Sequence, residues 1–229
     1  MEIFCFENGP FSVNTYLITN GNSSIIIDPG HDCSELRNYI DTNKLSVSAI
    51  LLTHAHIDHV AGVNEIRDAY NNPDVYMGKD DTDLLANLAF QARMFALPSP
   101  KPIEINKVIR HKEEIELAGL KIEPLHTPGH SQGSFSFVIE SSIFSGDVLF
   151  LQSIGRTDLF GGNLSVLMKS INEVLETEDF KLWSSAHKEK IKQDNSHLNP
   201  NNRSVRTEQE DEFFKKFSSN LPKGFEINK

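Results

Sequence analysis

The chain has 229 residues, of which 38% are hydrophobic and 24% are charged, with 13 glycines and 10 prolines. This composition is typical of a globular protein and excludes the disordered, collagenous and disulfide-rich classes. Asp and Glu outnumber Lys and Arg by 32 to 22, giving a net charge of −10. Nucleic acid and anionic membranes are therefore not expected as partners.

The N-terminal residues and the two cysteines are typical of a reduced, cytoplasmic protein. The first ten residues, MEIFCFENGP, lack the basic and apolar segments of a signal peptide. No run approaches the ~18 apolar residues that a membrane span needs. Cys5 and Cys33 are not spaced as a metal or redox motif, and we expect two buried thiols in a cytoplasmic protein.

The first half of the chain is predicted to contain short strands separated by turns and helices. Alternating or continuous apolar residues indicate strands, and apolar residues at three- and four-residue spacing indicate helices. These criteria predict strands over 13–19, 23–28, 47–52 and 74–77, and helices over 34–43 and 60–70.

Residues 80–96 are predicted to form one amphipathic helix. Asp80 and Asp81 lie at its start, where a helix favours negative charge, and Pro98 and Pro100 end it. Further along the chain, the same criteria predict strands over 114–117, 120–125, 134–139, 142–145 and 181–185, and helices over 164–175 and 204–218.

The order of these elements predicts one domain of mixed α and β structure over residues 1–229. We find neither an internal repeat nor a low-complexity linker. The expected core covers residues 10–190, and a short helical tail covers residues 200–220. Layered sheets covered by helices would bury the apolar faces of both kinds of element.

A dense group of potential metal ligands follows the predicted strand 47–52. Residues 53–62 read THAHIDHVAG, with three His and one Asp within six residues. A strand would place residue 59 on the opposite face, and a helix would spread the group around its axis, so only a turning loop lets all four converge. Imidazole and carboxylate suit zinc and related divalent ions. These ligands are His54, His56, Asp58 and His59.

Three further segments place His or Asp beyond the ends of predicted strands. His130 lies in the turn HTPGHSQG, which follows strand 120–125. Asp147 lies at a break between two apolar segments, where a lone buried carboxylate would cost several kcal/mol unless paired or metal-bound. His187 ends the segment SSAH after the predicted strand 181–185.

Four segments, in this order and spacing, resemble the metallo-β-lactamase superfamily of hydrolases: THAHIDHVAG, HTPGHSQGS, SGDVLF and SIGRTDL. The resemblance covers most of the chain, from about residue 10 to residue 190. The HxHxDH pattern marks the superfamily. GRTDL followed by Gly161 and Gly162 is similar to the glyoxalase II subgroup, whose members resemble hydroxyacylglutathione hydrolase.

The resemblance implies a four-layer αββα sandwich with two divalent metal ions at one edge of its sheets. Zinc is the expected metal, with iron or manganese as alternatives. A hydroxide that bridges the two metals would be the nucleophile, and Asp58 would orient it. By the family pattern, the first metal would be held by His54, His56 and His130, the second by Asp58, His59 and His187, and both by Asp147.

The last ligand departs from the family pattern. The family usually has Gly-His-Gly at this point, whereas this chain has Ala186, His187 and Lys188. Lys188 either favours an anionic substrate beside the second metal or points to solvent. Arg156 either binds a substrate carboxylate or pairs with Asp158.

Other polar residues near these motifs are expected to support the site or to lie away from it. We expect Asp28 to support the metal-binding loop without binding metal. His126 is expected to have a structural role, and His197 is a fallback ligand in an Asn-rich segment. His31 and His111 are expected at the surface.

The function implied by the resemblance is metal-dependent hydrolysis of a small anionic thioester, as in glyoxalase II. The thiolate that leaves needs little acid assistance. Alternatives within the same fold are a mono-iron persulfide dioxygenase, a lactonase and a phosphodiesterase. A nuclease is disfavoured by the acidic charge, and a β-lactamase by the missing export signal and by His59. The sequence leaves the oligomeric state open.

The substrate pocket is the part in which this chain departs from glyoxalase II. Forty-two residues follow His187, fewer than the helical region that holds glutathione in glyoxalase II. The helix predicted over 80–96 would then form much of the pocket wall, with Met94, Phe95 and Leu97 over an apolar acyl group. Alternatively, this helix only covers the core.

Overall fold

Two six-stranded sheets form the centre of the computed structural model, which describes residues 1–150, 153–176, 181–183 and 227–228. In the first sheet the strands follow chain order, β1-β2-β3-β4-β5-β6. Its first three strands are antiparallel neighbours, and β3 to β6 run parallel. The strands are β1 (Glu2–Asn8), β2 (Val13–Asn20), β3 (Ser23–Ile27), β4 (Ser46–Leu51), β5 (Asp74–Gly78) and β6 (Lys107–Ile109).

The second sheet is built from the second half of the chain in the order β14-β13-β10-β9-β8-β7. Strands β7 to β10 are antiparallel neighbours, whereas β13 pairs in parallel with both β10 and β14. A separate hairpin joins β11 and β12. These strands are β7 (Ile115–Leu117), β8 (Leu120–His126), β9 (Phe135–Ile139), β10 (Ser142–Phe144), β11 (Leu149–Phe150), β12 (Ser153–Ile154), β13 (Lys181–Trp183) and β14 (Ile227–Asn228).

Helices cover the outer faces of the two sheets. The connections of the first sheet contain five of them, and one follows the hairpin. The helices are α1 (Ser34–Thr42), α2 (Ile57–Val60), α3 (Val63–Ala69), α4 (Thr82–Ala86), α5 (Leu88–Met94) and α6 (Leu164–Glu176), with a short 3-10 turn at Lys79–Asp81.

In the described part of the chain, three apolar clusters separate four layers. In β2, Leu17 packs with α1 and α3 on one side of the sheet, whereas Tyr16 and Ile18 pack against the second sheet on the other. This alternation explains why β2 is apolar on both faces and buried along almost its whole length. A third cluster lies between the second sheet and α6 and includes Leu167 and Ile171. The architecture is therefore the predicted αββα sandwich.

The prediction of one continuous helix over residues 80–96 is wrong. It is divided into the 3-10 turn, α4 and α5, with the break at Asn87. The Asn87 side chain donates a hydrogen bond to the carbonyl of Asp83, and the Gln91 side chain donates to that of Leu84. These bonds cap the carbonyls at the end of α4, so the chain can turn. The helix predicted over 60–70 is similarly divided, with α2 ending at Val60 and α3 starting at Val63.

Other differences from the prediction concern exposed or short segments. The sequence pattern did not predict strand β1, nor the short strands β6, β11, β12 and β14. Cys33 is buried as expected, but Cys5 is exposed on β1, so the expectation of two buried thiols is wrong. The predicted helix over 204–218 lies outside the described residues. Within the described residues, we find no helix long and apolar enough to span a membrane.

Candidate metal centre

The predicted ligands that the structure describes converge at one edge of the two sheets. Strands β3 and β4 are parallel, so the loops after them leave the first sheet at the same edge. Strands β8 and β10 both run antiparallel to β9, so their following loops also share one edge of the second sheet. The Phe135 amide donates a 2.7 Å hydrogen bond to the carbonyl of Thr53, which joins the two edges.

Three imidazoles form the centre of the site. The Nε2 atoms of His54 and His130 are 3.2 Å apart, and Nδ1 of His56 is 2.8 Å from Nε2 of His130. All three side chains are buried. These residues come from two loops that are more than 70 residues apart along the chain. The structure thus brings together the three side chains that the sequence predicts as ligands of the first metal.

Hydrogen bonds to the opposite ring nitrogens set the tautomers of two of these rings. Thr53 Oγ1 donates to Asp28 Oδ2, so it accepts its 3.0 Å bond from Nδ1 of His54. Nδ1 of His130 donates to the carbonyl of Arg156 at 2.8 Å. Nε2 of both rings therefore carries a lone pair, and the two cannot hydrogen-bond to each other. A divalent cation between them would accept both lone pairs, so these residues fit a metal ion.

The electrostatics of the three imidazoles agree with this fit. Burial lowers the pKa of His54 and of His56 well below the usual range, and the neighbouring imidazoles lower it further. Both rings are therefore neutral near pH 7. Neutral imidazole is the form that binds a metal.

A second group of donors lies beside the three imidazoles. Asp147 Oδ1 is 3.3 Å from Nε2 of His59, and Asp147 Oδ2 is 3.4 Å from Nε2 of His130. Asp58 Oδ2 is 3.8 Å from the same His59 nitrogen. Burial lowers the pKa of His59, but Asp147 and Asp58 outweigh burial and raise this pKa well above its usual range. The Asp147 carboxylate thus spans both donor groups, as a bridging ligand would.

Asp28 supports the loop, as the sequence predicts. Its two oxygens accept hydrogen bonds from the Thr53 amide, the Thr53 hydroxyl and Nδ1 of His59, at 2.5–2.9 Å. Although one Asp28 oxygen lies within 4.8 Å of ligand atoms of His54 and His59, both of its oxygens are already used as acceptors. Asp28 also has a φ of 51°, a conformation that Asp tolerates better than most residues.

Sequence reasoning missed two buried residues that hold the metal-binding loops. Asp81, interpreted as a charge at a helix start, accepts bonds from the Ala55 amide, the Ser131 hydroxyl and the Gly133 amide at 2.7–3.0 Å. Gln91 accepts from the Ile57 amide and donates to the Ala55 carbonyl. In the sequence, the signal that could have identified them is their position: Asp81 and Gln91 are polar residues on the apolar side of the helix predicted over 80–96.

The remaining predicted residues fall into separate groups. Arg156 donates two 2.7 Å hydrogen bonds to Asp158. Of the two roles expected for Arg156, the structure therefore shows the pairing with Asp158. His126 lies outside the cluster, and its Nε2 donates to the Gln132 carbonyl at 3.0 Å. His111 is exposed, whereas His31 is only half-exposed and burial lowers its pKa. His187, Lys188 and His197 lie outside the described residues.

A cavity of about 390 Å³ opens directly beside the imidazole cluster, with His56 in its wall. Residues of α4 and α5 form one side, and Leu159 and Phe160 contribute to the other. Of the three residues expected over a substrate group, Met94 and Phe95 line this cavity, whereas Leu97 packs against the core. The divided helix therefore both covers the core and borders the cavity.

The four-layer fold and the histidine cluster at its sheet edge are typical of a superfamily of metal-dependent hydrolases. The family model of the metallo-β-lactamase superfamily matches residues 8–186. The chain therefore belongs to the metallo-β-lactamase superfamily.

Two relatives illustrate the similarity in sequence. A Bacillus subtilis protein described as probable metallo-hydrolase YqgX is 36% identical over 174 residues, covering 74% of this chain and 81% of the relative. Hydroxyacylglutathione hydrolase GloC of Haemophilus influenzae is 33% identical over 169 residues, covering 72% of this chain and 80% of the relative.

Two solved structures illustrate the similarity in fold. The B3 metallo-β-lactamase BLEG-1 has a TM-score of 0.72 and 35% identity, covering 76% of this chain and 86% of that one. TTHA1623 in a di-iron-bound form has a TM-score of 0.72 and 33% identity, covering 80% of this chain and 91% of that one.

Proposed function

We propose that the protein is a two-metal hydrolase that cleaves thioesters of the hydroxyacylglutathione type. The observation that carries the proposal is the Asp147 carboxylate, which faces His130 with one oxygen and His59 with the other. The similarity to GloC supports the thioester, and the similarity to TTHA1623 in its di-iron form supports two metals.

The proposed ligands follow from the donor groups. His54, His56 and His130 would hold one divalent ion, and Asp58 and His59 would hold the other, together with the proposed ligand His187. Zinc is the proposed metal, with iron or manganese as alternatives. When bound, two such ions lower the pKa of water to about 7 and polarise the carbonyl that is attacked.

The chain's own residues position the reactants. Asp28 and the Arg156 carbonyl hold the rings of His59 and His130 so that their ligand nitrogens face inward. The Asp58 carboxylate, which is only 17% exposed, would accept a hydrogen bond from the attacking water and orient it. Water adds to the carbonyl carbon, the C–S bond breaks, and the products are a carboxylic acid and a thiol.

The polarity of the cavity also supports a thioester. Among the described residues that line it, the titratable ones are His56, a proposed ligand, and Asp83. His56 is committed to the proposed metal, which leaves the exposed Asp83 as the other candidate for a general acid among these residues. A thiol has a pKa near 8.5, so the thiolate is a good leaving group and departs without a general acid.

The direct test is hydrolysis of S-lactoylglutathione by protein loaded with Zn²⁺, Fe²⁺ or Mn²⁺. We expect turnover in at least one metal form, and a loss of more than about 100-fold in kcat for Asp58→Asn, above the effect of residues that only orient ligands. Asp68→Asn, an exposed carboxylate on α3, is the matched control and should behave as wild type.

Parallel assays separate the alternatives within the superfamily. Hydrolysis of a penicillin but of no thioester would favour a β-lactamase like BLEG-1. Oxygen uptake with glutathione persulfide by a one-iron form would favour a dioxygenase, and hydrolysis of lactones or phosphodiesters would favour those classes. Any of these results without thioester hydrolysis would contradict the proposal.

A further inference from the structure

The cavity beside His56 is walled mainly by large apolar side chains. Its volume of about 390 Å³ lies within the range of about 300–1,000 Å³ typical of small-molecule sites. We call its apolar residues the cavity wall, namely Leu84, Phe90, Met94, Phe95, Leu159 and Phe160.

Three members of the cavity wall are unusually exposed. Phe90 and Met94 are 54% and 55% exposed, and Phe160 is 77% exposed. Within the described residues, the other exposed large hydrophobic side chains are Met1 and Val108, so three of the five border one cavity. Clustering of exposed apolar side chains around a concave site marks a surface that binds an apolar group.

The polar groups of the cavity offer little to an anion. Gln91 uses its amide on the backbone of Ala55, Ile57 and Leu84. The Asn87 amide donates to the Asp83 carbonyl. Asp83 is acidic, and none of the described lining residues is Lys or Arg. Among the described lining residues, a carboxylate would therefore meet the like charge of Asp83 and neither Lys nor Arg.

Of the two halves of a glutathione thioester, these observations favour the acyl half as the occupant of the cavity. The glutathionyl half carries two carboxylates, which Asp83 would repel, whereas an acyl chain carries none. The carbonyl must lie at the metal centre, and His56 belongs both to that centre and to the cavity. An acyl chain attached to the carbonyl can therefore extend directly along the cavity wall.

We propose that the cavity wall binds an apolar acyl chain of the substrate, so that medium-length acyl groups are preferred over short polar ones such as lactoyl. This inference rests on the proposed thioester hydrolysis and names the substrate class for that same site. Phe90, Met94 and Phe160 would determine the specificity.

The first experiment measures kcat/KM of metal-loaded protein for S-acetyl-, S-butyryl-, S-hexanoyl- and S-lactoylglutathione. Each buried methylene should raise kcat/KM about fourfold until the chain fills the cavity. Met94→Gln and Phe160→Ser should each reduce this chain-length dependence. Val108→Thr is the matched control, because Val108 is 52% exposed on β6 and does not line the cavity, and it should retain the wild-type dependence.

The second experiment measures binding of hexanoate and acetate to metal-loaded protein by calorimetry, which requires no turnover. Hexanoate should bind more tightly than acetate, and Met94→Gln should reduce the difference. If hexanoate binds in this way but no thioester is hydrolysed, the proposed function is wrong and the assignment of the cavity stands.

Two results would overturn the inference. One is hydrolysis of all the thioesters without any preference for chain length, which would leave the proposed function intact. The other is a chain-length preference that keeps its wild-type strength in both Met94→Gln and Phe160→Ser, which would place the acyl chain away from the cavity wall.

Discussion

The metal-binding loops and the cavity wall are neighbours in space but are built by opposite means. In the loops, buried polar side chains bind one another or the backbone, as His54, His59 and His130 do through Thr53, Asp28 and the Arg156 carbonyl. In the cavity wall, large apolar side chains such as Phe90 and Phe160 are left exposed. His56 belongs to the metal-binding loops and also lines the cavity beside the cavity wall.

The difference shows which region tolerates change. A buried hydrogen-bonded network loses stability when any member is removed, because its partner remains buried and unsatisfied. An exposed apolar side chain has few neighbours to lose, so substitution changes binding more than folding. We therefore expect chemistry to depend on the loops and substrate choice to depend on the cavity wall.

The largest expected effect is in the turn before His130. Gly129 has a φ of 131°, and a Cβ there would collide with the backbone nitrogen of Leu167 in α6. Gly129→Ala should therefore lower the free energy of unfolding by about 3 kcal/mol or more, measured by urea denaturation.

Gly21→Ala is the matched control for Gly129→Ala. Gly21 also has a positive φ, of 60°, but nothing lies within 4 Å of the position that a Cβ would take there, so only the backbone strain of about 1–2 kcal/mol remains. Equal losses in the two variants would show that the turn is not tightly packed against α6.

The next effect concerns Asp81, which ties together the two loops. Asp81→Asn replaces one carboxylate oxygen, which accepts hydrogen bonds, by an amide NH₂ group, which donates them. This donor would face the N–H and O–H groups that Asp81 binds, so at least one of these hydrogen bonds is lost. Metal affinity should fall about 10–100-fold, as for other residues that orient ligands, measured by competition with a chromogenic chelator. The adjacent Asp80→Asn, at a side chain that is 47% exposed, should keep wild-type affinity. If Asp81→Asn kept the wild-type metal affinity, the two metal-binding loops would hold their conformation without the Asp81 carboxylate.

Gln91 connects the two regions and should have a smaller effect. Gln91→Met keeps the length of the side chain but removes the bonds to Leu84 and, in the first metal-binding loop, to Ala55 and Ile57. Metal affinity should fall about fivefold, equivalent to one hydrogen bond of about 1 kcal/mol. Gln132→Met, at an exposed position, is the control. A loss as large as that of Asp81→Asn would make the cavity wall part of the metal-binding network.

The smallest effect is expected in the cavity wall itself. Phe90→Ala should change the free energy of unfolding by no more than about 0.5 kcal/mol, because the ring is more than half exposed. Phe137→Ala, at a fully buried ring between the sheets, should cost about 3–5 kcal/mol. A large loss in Phe90→Ala would show that the cavity wall stabilises the fold.

Most of the strands and the described candidate ligands could be predicted from local patterns. The apolar runs over 23–28 and 47–52 correspond to β3 and β4, and the ligands of the first loop follow one another directly. The division of helix 80–96 could not be predicted, because it depends on side chains of Asn87 and Gln91 that bind carbonyls at the end of α4. Helical periodicity does not contain this information.

Periodicity in the sequence predicted layered sheets covered by helices, and the motifs, through their resemblance to a known superfamily, implied the αββα order and the types of ligand. Both depend on residues within short segments. Only the tertiary structure decided that Asp81 joins loops 26 and 50 residues away, since its burial depends on how those loops meet. The tertiary structure also decided that the cavity beside His56 is apolar and lacks a cation among its described residues, because its walls come from segments far apart in the chain.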